Sequence, residues 1–295
     1  MKIQDTGRLI DTIAQTRLER RGFLARAGMV SLGAAATLTL SSQNAGAAES
    51  PAQRAQEKAQ AIDTVKEIFT AALIAEDLAS TFYYNGLVGA VIQDVNLAGP
   101  GGSATNVQSN GNPGNVNYLQ AALTEEIAHA DLFRSLLGIA SPATDPVQTF
   151  YFPAGTFDSL GAFTGLLDAL ENAFIGAYLN AIQEFSVKSA HLDDGDGHTY
   201  SAKQLDYFAK VSASIMGIEA EHRVLGRVIS NSNPANNLAY EQTDGLNAVY
   251  NGSKSAVAAL TPFLTPSTGP GYSLATALAN QGTVSIAVMG NPPAF

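Results

Sequence analysis

The sequence predicts an all-α fold: a four-helix bundle with a long crossover between helices two and three, followed by an irregular C-terminal extension. Three observations carry this. Four long stretches place apolar residues at helical spacing. Clusters of Gly, Asn and Pro separate them. Beyond residue 230 the periodicity gives way to Asn, Gly, Pro and Ser. The expected division is an export signal over 1–48, the bundle over 55–230 and the extension over 231–295.

Residues 1–48 read as a signal rather than as part of the bundle. Six of the 16 basic residues lie there, but only three of the 26 acids. The basic stretch leads into a mild Gly/Ala/Leu run from Gly28 to Leu40. It ends at Ala45-Gly46-Ala47, which has the small-x-small form of a peptidase site. Arg20-Arg21-Gly22-Phe23-Leu24 has the form of a twin-arginine export motif, although Glu19 and Ala25 depart from the usual pattern. The alternative is an ordinary secretory signal or a membrane anchor; the weak apolar run and long basic lead favour the twin-arginine route. The mature chain is expected to begin within a residue of Ala48 and to be periplasmic or secreted. No later segment offers the ~18 uncharged apolar residues that span a bilayer.

The first helix is expected from about Ala55 to Asp94. A loop from Gly99-Pro100-Gly101-Gly102 to Asn112-Pro113-Gly114 separates it from the second, Val116 to Leu137. A Pro-containing crossover from Ser141 to Gly155 leads to the third, Ser159 to Val187. A turn from His191 to His198 leads to the fourth, Ser201 to Ile229. The extension offers one short helix near Ser253–Leu264. The composition excludes several classes. With 46% hydrophobic and 14% charged residues the chain is too apolar to be disordered. With no cysteine it has no disulfide framework, thiolate nucleophile or zinc-thiolate site. A net charge of −10 argues against a nucleic-acid partner.

Written in heptads, the four helices share a feature. Glu76 lies in the stripe of Phe69, Ala72, Ala79 and Tyr83. Glu126 and His129 lie in the stripe of Leu119, Ala122, Phe133 and Leu136. Glu171 lies with Leu167, Phe174, Tyr178 and Phe185, and Glu219 and His222 with Phe208, Ile215 and Ile229. Those faces must pack together. Four carboxylates in a bundle interior repel one another and lose hydration, at several kcal/mol per ion. They must stay protonated or bind cations. Two divalent cations balance four carboxylates with two neutral imidazoles. Glu126-x-x-His129 and Glu219-x-x-His222 each put an oxygen and a nitrogen ligand on one helix face, the arrangement of carboxylate-bridged di-iron and di-manganese bundles. The side chains of Glu76, Glu126, His129, Glu171, Glu219 and His222 are therefore expected to converge on two points ~3.5–4 Å apart.

The chain also repeats itself. Aligning Glu76 with Glu171 brings Tyr83 onto Tyr178 and Asn85 onto Asn180. Aligning Glu126 with Glu219 brings His129 onto His222, Leu132 onto Leu225 and Arg134 onto Arg227. Two helical hairpins related by a pseudo-twofold would each supply half of one dinuclear site.

These residues carry a resemblance. Ala71-Ala72-Leu73-Ile74-Ala75-Glu76 with Phe82-Tyr83-Tyr84, Glu125-Glu126-Ile127-Ala128-His129, Phe152-Pro153-Ala154-Gly155-Thr156-Phe157, Glu171 with Ala177-Tyr178-Leu179, and Ile218-Glu219-Ala220-Glu221-His222-Arg223 resemble the ferritin-like superfamily. Within it they look like the exported branch that includes the desiccation-related proteins of plants and bacteria. The resemblance spans roughly residues 60–230. It implies a four-helix bundle holding two iron or manganese ions on Glu76, Glu126, His129, Glu171, Glu219 and His222. Relatives store iron, oxidise substrates or dismutate peroxide. The long Gly/Asn loop and the tail depart from compact cage-forming ferritins and argue against a closed storage shell.

The leading expectation is an exported protein whose dinuclear site reacts with dioxygen or peroxide in oxidative or desiccation stress, as a di-iron oxidase or peroxidase or a di-manganese catalase-like enzyme. The alternative is a non-enzymatic stress or metal-sequestering protein with the same bundle. Either form is open to homo-oligomerisation. Tyr83 and Tyr178, seven residues or ~10 Å of helix beyond a glutamate, are expected to be core aromatics rather than partners of the site. Glu125 and Glu221 are expected to be solvated or salt-bridged, and Arg134 and Arg227 to form surface ion pairs worth under ~1 kcal/mol. Asp193, Asp194 and Asp196 do not meet the EF-hand spacing, so no calcium loop is expected. His191 and His198 are expected to be exposed.

Overall fold

The computed structural model describes residues 63–191, 198–232, 247, 249 and 255–286. Residues 1–48, expected to be an export signal, the first turns expected from Ala55, and Asp193, Asp194 and Asp196 lie outside them, as does the side chain of His191. Among the described residues the fold is all-α, with four long helices: α1 Val65–Val88, α2 Pro113–Leu137, α3 Leu160–His191 and α4 Ala202–Ile229.

Local chemistry sets the helix ends. Thr64 and Glu67 close a capping box at the start of α1, each side chain bonding the other's backbone N–H. Ser201 and Gln204 do the same for α4. Asn112 caps α2 with Pro113 in its first turn, and Gly138 ends it in the left-handed conformation at φ 68°. The first helix stops at Val88, not at Asp94. Gly89 leaves helical geometry there, and only a 3-10 turn, Val91–Gln93, follows. The second begins at Pro113, three residues before its expected start, because proline suits the first helical position.

Among the described residues the apolar core falls into two clusters with the glutamates between them. Along α1 the chain passes from Phe69 and Leu73 in one cluster, through Glu76, to Leu78 and Phe82 in the other. Along α4 it passes in the same sense, from Phe208 and Ile215 through Glu219 to Ile229. Along α2 and α3 it passes in the opposite sense. So α2 and α3 run parallel, and residues 138–159 must travel the length of the bundle between them. α1 packs chiefly on α2, and α3 on α4.

The crossover and the tail are joined. Strand β1, Thr149–Tyr151, pairs antiparallel with β2, Gly271–Ser273, with Phe150 opposite Tyr272. A Cβ on Gly269 would stand 1.8 Å from the carbonyl oxygen of Phe152, so only glycine lets the two backbones approach this closely. Phe152 packs its ring against Phe82, Phe157, Phe263 and Tyr272. The short helix expected in the tail is α5, Ala256–Leu260, continued by a 3-10 turn to Leu264. A further helix, α6 Leu274–Asn280, buries Leu274 and Ala277 against α1. Neither β2 nor α6 was legible in the sequence, because each is too short to show a period. Among the described residues no helix is long and apolar enough to cross a membrane.

Candidate metal centre

Each long helix delivers one glutamate to the plane between the two apolar clusters. Glu126, Glu171 and Glu219 are fully buried, and Glu76 is 2% exposed. His129 and His222 follow one turn after Glu126 and Glu219, on the same faces. The structure brings all six side chains together in two overlapping groups. One is Glu76, Glu126, His129 and Glu219; the other is Glu126, Glu171, Glu219 and His222. Within each, the potential ligand atoms lie within 4.8 Å of one another.

Glu126 and Glu219 belong to both groups, and each divides its two oxygens between them. Glu126 points Oε2 at Nδ1 of His129, 3.8 Å away, and Oε1 at Nδ1 of His222, 3.0 Å away. Glu219 points Oε1 at His129, 3.6 Å, and Oε2 at His222, 3.3 Å. Glu76 lies only on the His129 side, with Oε2 3.3 Å from Nδ1. Glu171 lies only on the His222 side. Glu126 and Glu219 are thus shared between the two groups, while Glu76 and Glu171 belong to one each.

Hydrogen bonding leaves the interior of this cluster unsatisfied. Both oxygens of Glu126, both of Glu219, Oε2 of Glu171 and Nδ1 of His222 are buried without a hydrogen-bond partner. Each such group costs about 1–3 kcal/mol. His222 turns its other nitrogen outward, 2.8 Å from Oε2 of Glu125. With a proton there, Nδ1 presents a lone pair to carboxylate oxygens, and acceptors face acceptors. Only cations relieve that, whether protons or metal ions. A donor set of carboxylate oxygens and imidazole nitrogens suits iron and manganese, so the residues fit such ions.

The same crowding shifts the titrating groups. Burial, then the neighbouring carboxylates, raises Glu126, Glu171 and Glu219 above the usual carboxylate range. Burial alone would lower the two histidines. Glu76 and Glu126 around His129, and Glu125, Glu126 and Glu219 around His222, outweigh it and raise both.

Two expectations about the surroundings are corrected. Tyr83 and Tyr178 are partners of the site. Tyr83 donates to Oε1 of Glu171 at 2.6 Å, and Tyr178 donates to Oε1 of Glu76. The ~10 Å of helix separates each tyrosine from the glutamate of its own helix, whereas its side chain leans back toward its own N-terminus and reaches the glutamate of the other. Their signal was present: both tyrosines occupy matching places in the internal repeat. Arg134 and Arg227 are not on the surface, each being 4% exposed. Arg134 bridges Asp77, Asp145 at 2.8 Å and Asp131 at 2.8 Å, while Arg227 bonds Asp168 at 2.8 Å. Glu125, expected to be solvated or salt-bridged, is both, being 44% exposed yet bonded to His222. Glu221 and His198 are exposed.

Residues 64–193 match the model of a family described as a ferritin-like domain. No curated protein and no solved structure matches the chain. The match covers α1, α2 and α3 and supports a place in the ferritin-like superfamily. Glu219 and His222, on α4, lie beyond it.

Proposed function

We propose that the chain is an exported ferritin-like protein that holds two iron or manganese ions bridged by Glu126 and Glu219. Glu76 and His129 complete one position; Glu171 and His222 complete the other. The centre reacts with dioxygen or peroxide, in oxidative or desiccation stress. The observation that carries this reading is the division of oxygens by the two shared glutamates, one to each histidine side. Bound iron or manganese supplies the redox equivalents and the Lewis acidity for that chemistry. The chain's own residues do the rest. Glu126 and Glu219 set the spacing of the two positions. Tyr83 and Tyr178 fix the terminal carboxylates by donating to one oxygen of each. The apolar clusters above and below exclude bulk water.

Elemental analysis of protein purified from its native compartment tests the metal, with two equivalents of iron or manganese per chain expected. Oxygen evolution from peroxide, and oxygen consumption with ferrous iron, test the activity. Protein that carries two metals and shows neither reaction refutes it. The burial of all four carboxylates favours a second reading, in which the bundle sequesters or is stabilised by its metal without turnover. That outcome of the assays supports it. Export by the twin-arginine route is tested by replacing Arg20 and Arg21 with Lys, which should block it, and by sequencing the mature N-terminus, expected within a residue of Ala48.

A further inference from the structure

The two halves of the cluster are built on one repeat but are not the same. On one side, His222 is 3% exposed and its outer nitrogen is held by Glu125 at 2.8 Å. On the other, His129 is 13% exposed. Among the described residues no hydrogen bond to its outer nitrogen is found. The repeat explains the difference. Glu125 precedes the bridging Glu126 by one residue, and the matching position before Glu219 is Ile218, whose side chain cannot accept a hydrogen bond.

We propose that Glu125 makes the two metal positions unequal: the Glu171–His222 position binds first and more tightly, and the Glu76–His129 position is the exchangeable one. The inference rests on the metal-binding function proposed above. Its basis is the chemistry of an imidazole ligand. A carboxylate that accepts the outer N–H fixes the tautomer, so the inner nitrogen keeps its lone pair for the metal, and it increases that nitrogen's basicity. It also fixes the ring's orientation before metal arrives. Loss of such a partner lowers metal affinity roughly 10–100-fold. Among the described residues His129 has no counterpart to it, and its greater exposure gives an ion at that position a shorter way to water. The terminal carboxylates do not supply the asymmetry, since each is held by a tyrosine of the other helix.

Titration of the full-length metal-free mature protein with Co(II), followed by its visible absorption and by calorimetry, tests this without any turnover. Wild type should bind two ions in steps separated by about tenfold or more. Glu125→Ala should weaken the first step by roughly 10–100-fold and bring the two together, while Glu125→Gln, which keeps an acceptor but no charge, should fall between. Ile218→Glu should tighten the second step. Glu125 is exposed enough that its variants should fold, which their helical circular dichroism and melts will show. Two equal steps in wild type, or an unchanged pair of steps in Glu125→Ala, would overturn the inference and leave the dinuclear reading intact. Binding of fewer than two ions by wild type would overturn that reading and the inference with it.

Discussion

Tyr83 and Glu171 meet across the bundle at 2.6 Å, a phenol on α1 donating to a carboxylate on α3. Tyr178 and Glu76 repeat the bond in the opposite sense. Each tyrosine is fully or almost fully buried, and burial followed by the facing carboxylate raises both phenols well above their ordinary range. They stay protonated and act as donors at neutral pH. Replacing either by Phe leaves a buried carboxylate oxygen without its donor. Tyr83→Phe and Tyr178→Phe should each destabilise the metal-free protein by about 1–3 kcal/mol, read from denaturant midpoints at constant slope. A loss below about 0.5 kcal/mol for both would mean that the bonds contribute little.

The metal-free protein should lose stability as pH rises. Glu126, Glu171, Glu219, His129 and His222 all have folded-state pKa values raised above their unfolded ones. The folded form therefore binds more protons, and its advantage, full below the unfolded values, disappears as pH rises through the folded ones. The carboxylates act from about pH 4.5 upward and the histidines from about pH 6.5 upward. Metal replaces those protons and should reverse the trend. Glu219→Gln should melt higher than wild type when both are metal-free at about pH 7.5, and should bind metal more weakly. A lower melt for the variant, or a flat profile between roughly pH 5 and 8, would remove the crowded-cluster explanation.

Arg134 is the cation of a buried acidic group. Asp77 and Asp145 are 0% and 5% exposed, and Arg134 bonds both. Burial pushes Asp77 up while Arg134 opposes it. Arg134→Met should leave two buried carboxyls without their cation and cost about 3–5 kcal/mol. A thermal or denaturant melt measures it, and a cost typical of a surface pair, under ~1 kcal/mol, would contradict the burial.

Glycines in the helices should separate by what surrounds them. A Cβ on Gly86 would stand 2.5 Å from the ring of Phe163, which stacks on Phe82 at 4.5 Å. Gly86→Ala should cost about 1–3 kcal/mol through displacement of that stack. Gly165 has nothing within 4 Å of its Cβ position, so Gly165→Ala should stabilise α3 by about 0.5–1 kcal/mol. Opposite signs are expected in paired melts.

The fold was legible because the helices are long and each carries a polar exception at the same level. Glu76, Glu126, Glu171 and Glu219 stand out in apolar stripes, and the two Glu-x-x-His spacings give a nitrogen ligand one turn away. What a helical stripe cannot convey is the neighbour across the bundle. Tyr83 and Glu171 are 88 residues apart, and Arg134 and Asp77 are 57 apart. No local period joins them. The charge of Arg134 pointed to the surface, and only its three acidic partners explain its burial. The strand pair was hidden for the same reason, since three-residue strands have no pattern of their own.

That strand pair sets a waiting time. Thr149–Tyr151 finds its partner about 120 residues later in the chain. At roughly 5–20 residues per second, synthesis needs about 6–24 seconds to deliver Gly271–Ser273 after the crossover has emerged. During that interval β1 presents an unpaired edge, and the side of Phe152 that will meet Phe263 and Tyr272 is bare. The first two helices can pair early, because α1 and α2 are close in sequence, but their aromatic end is covered only after about another 120 residues have been made. The crossover is finished long before its cover is made.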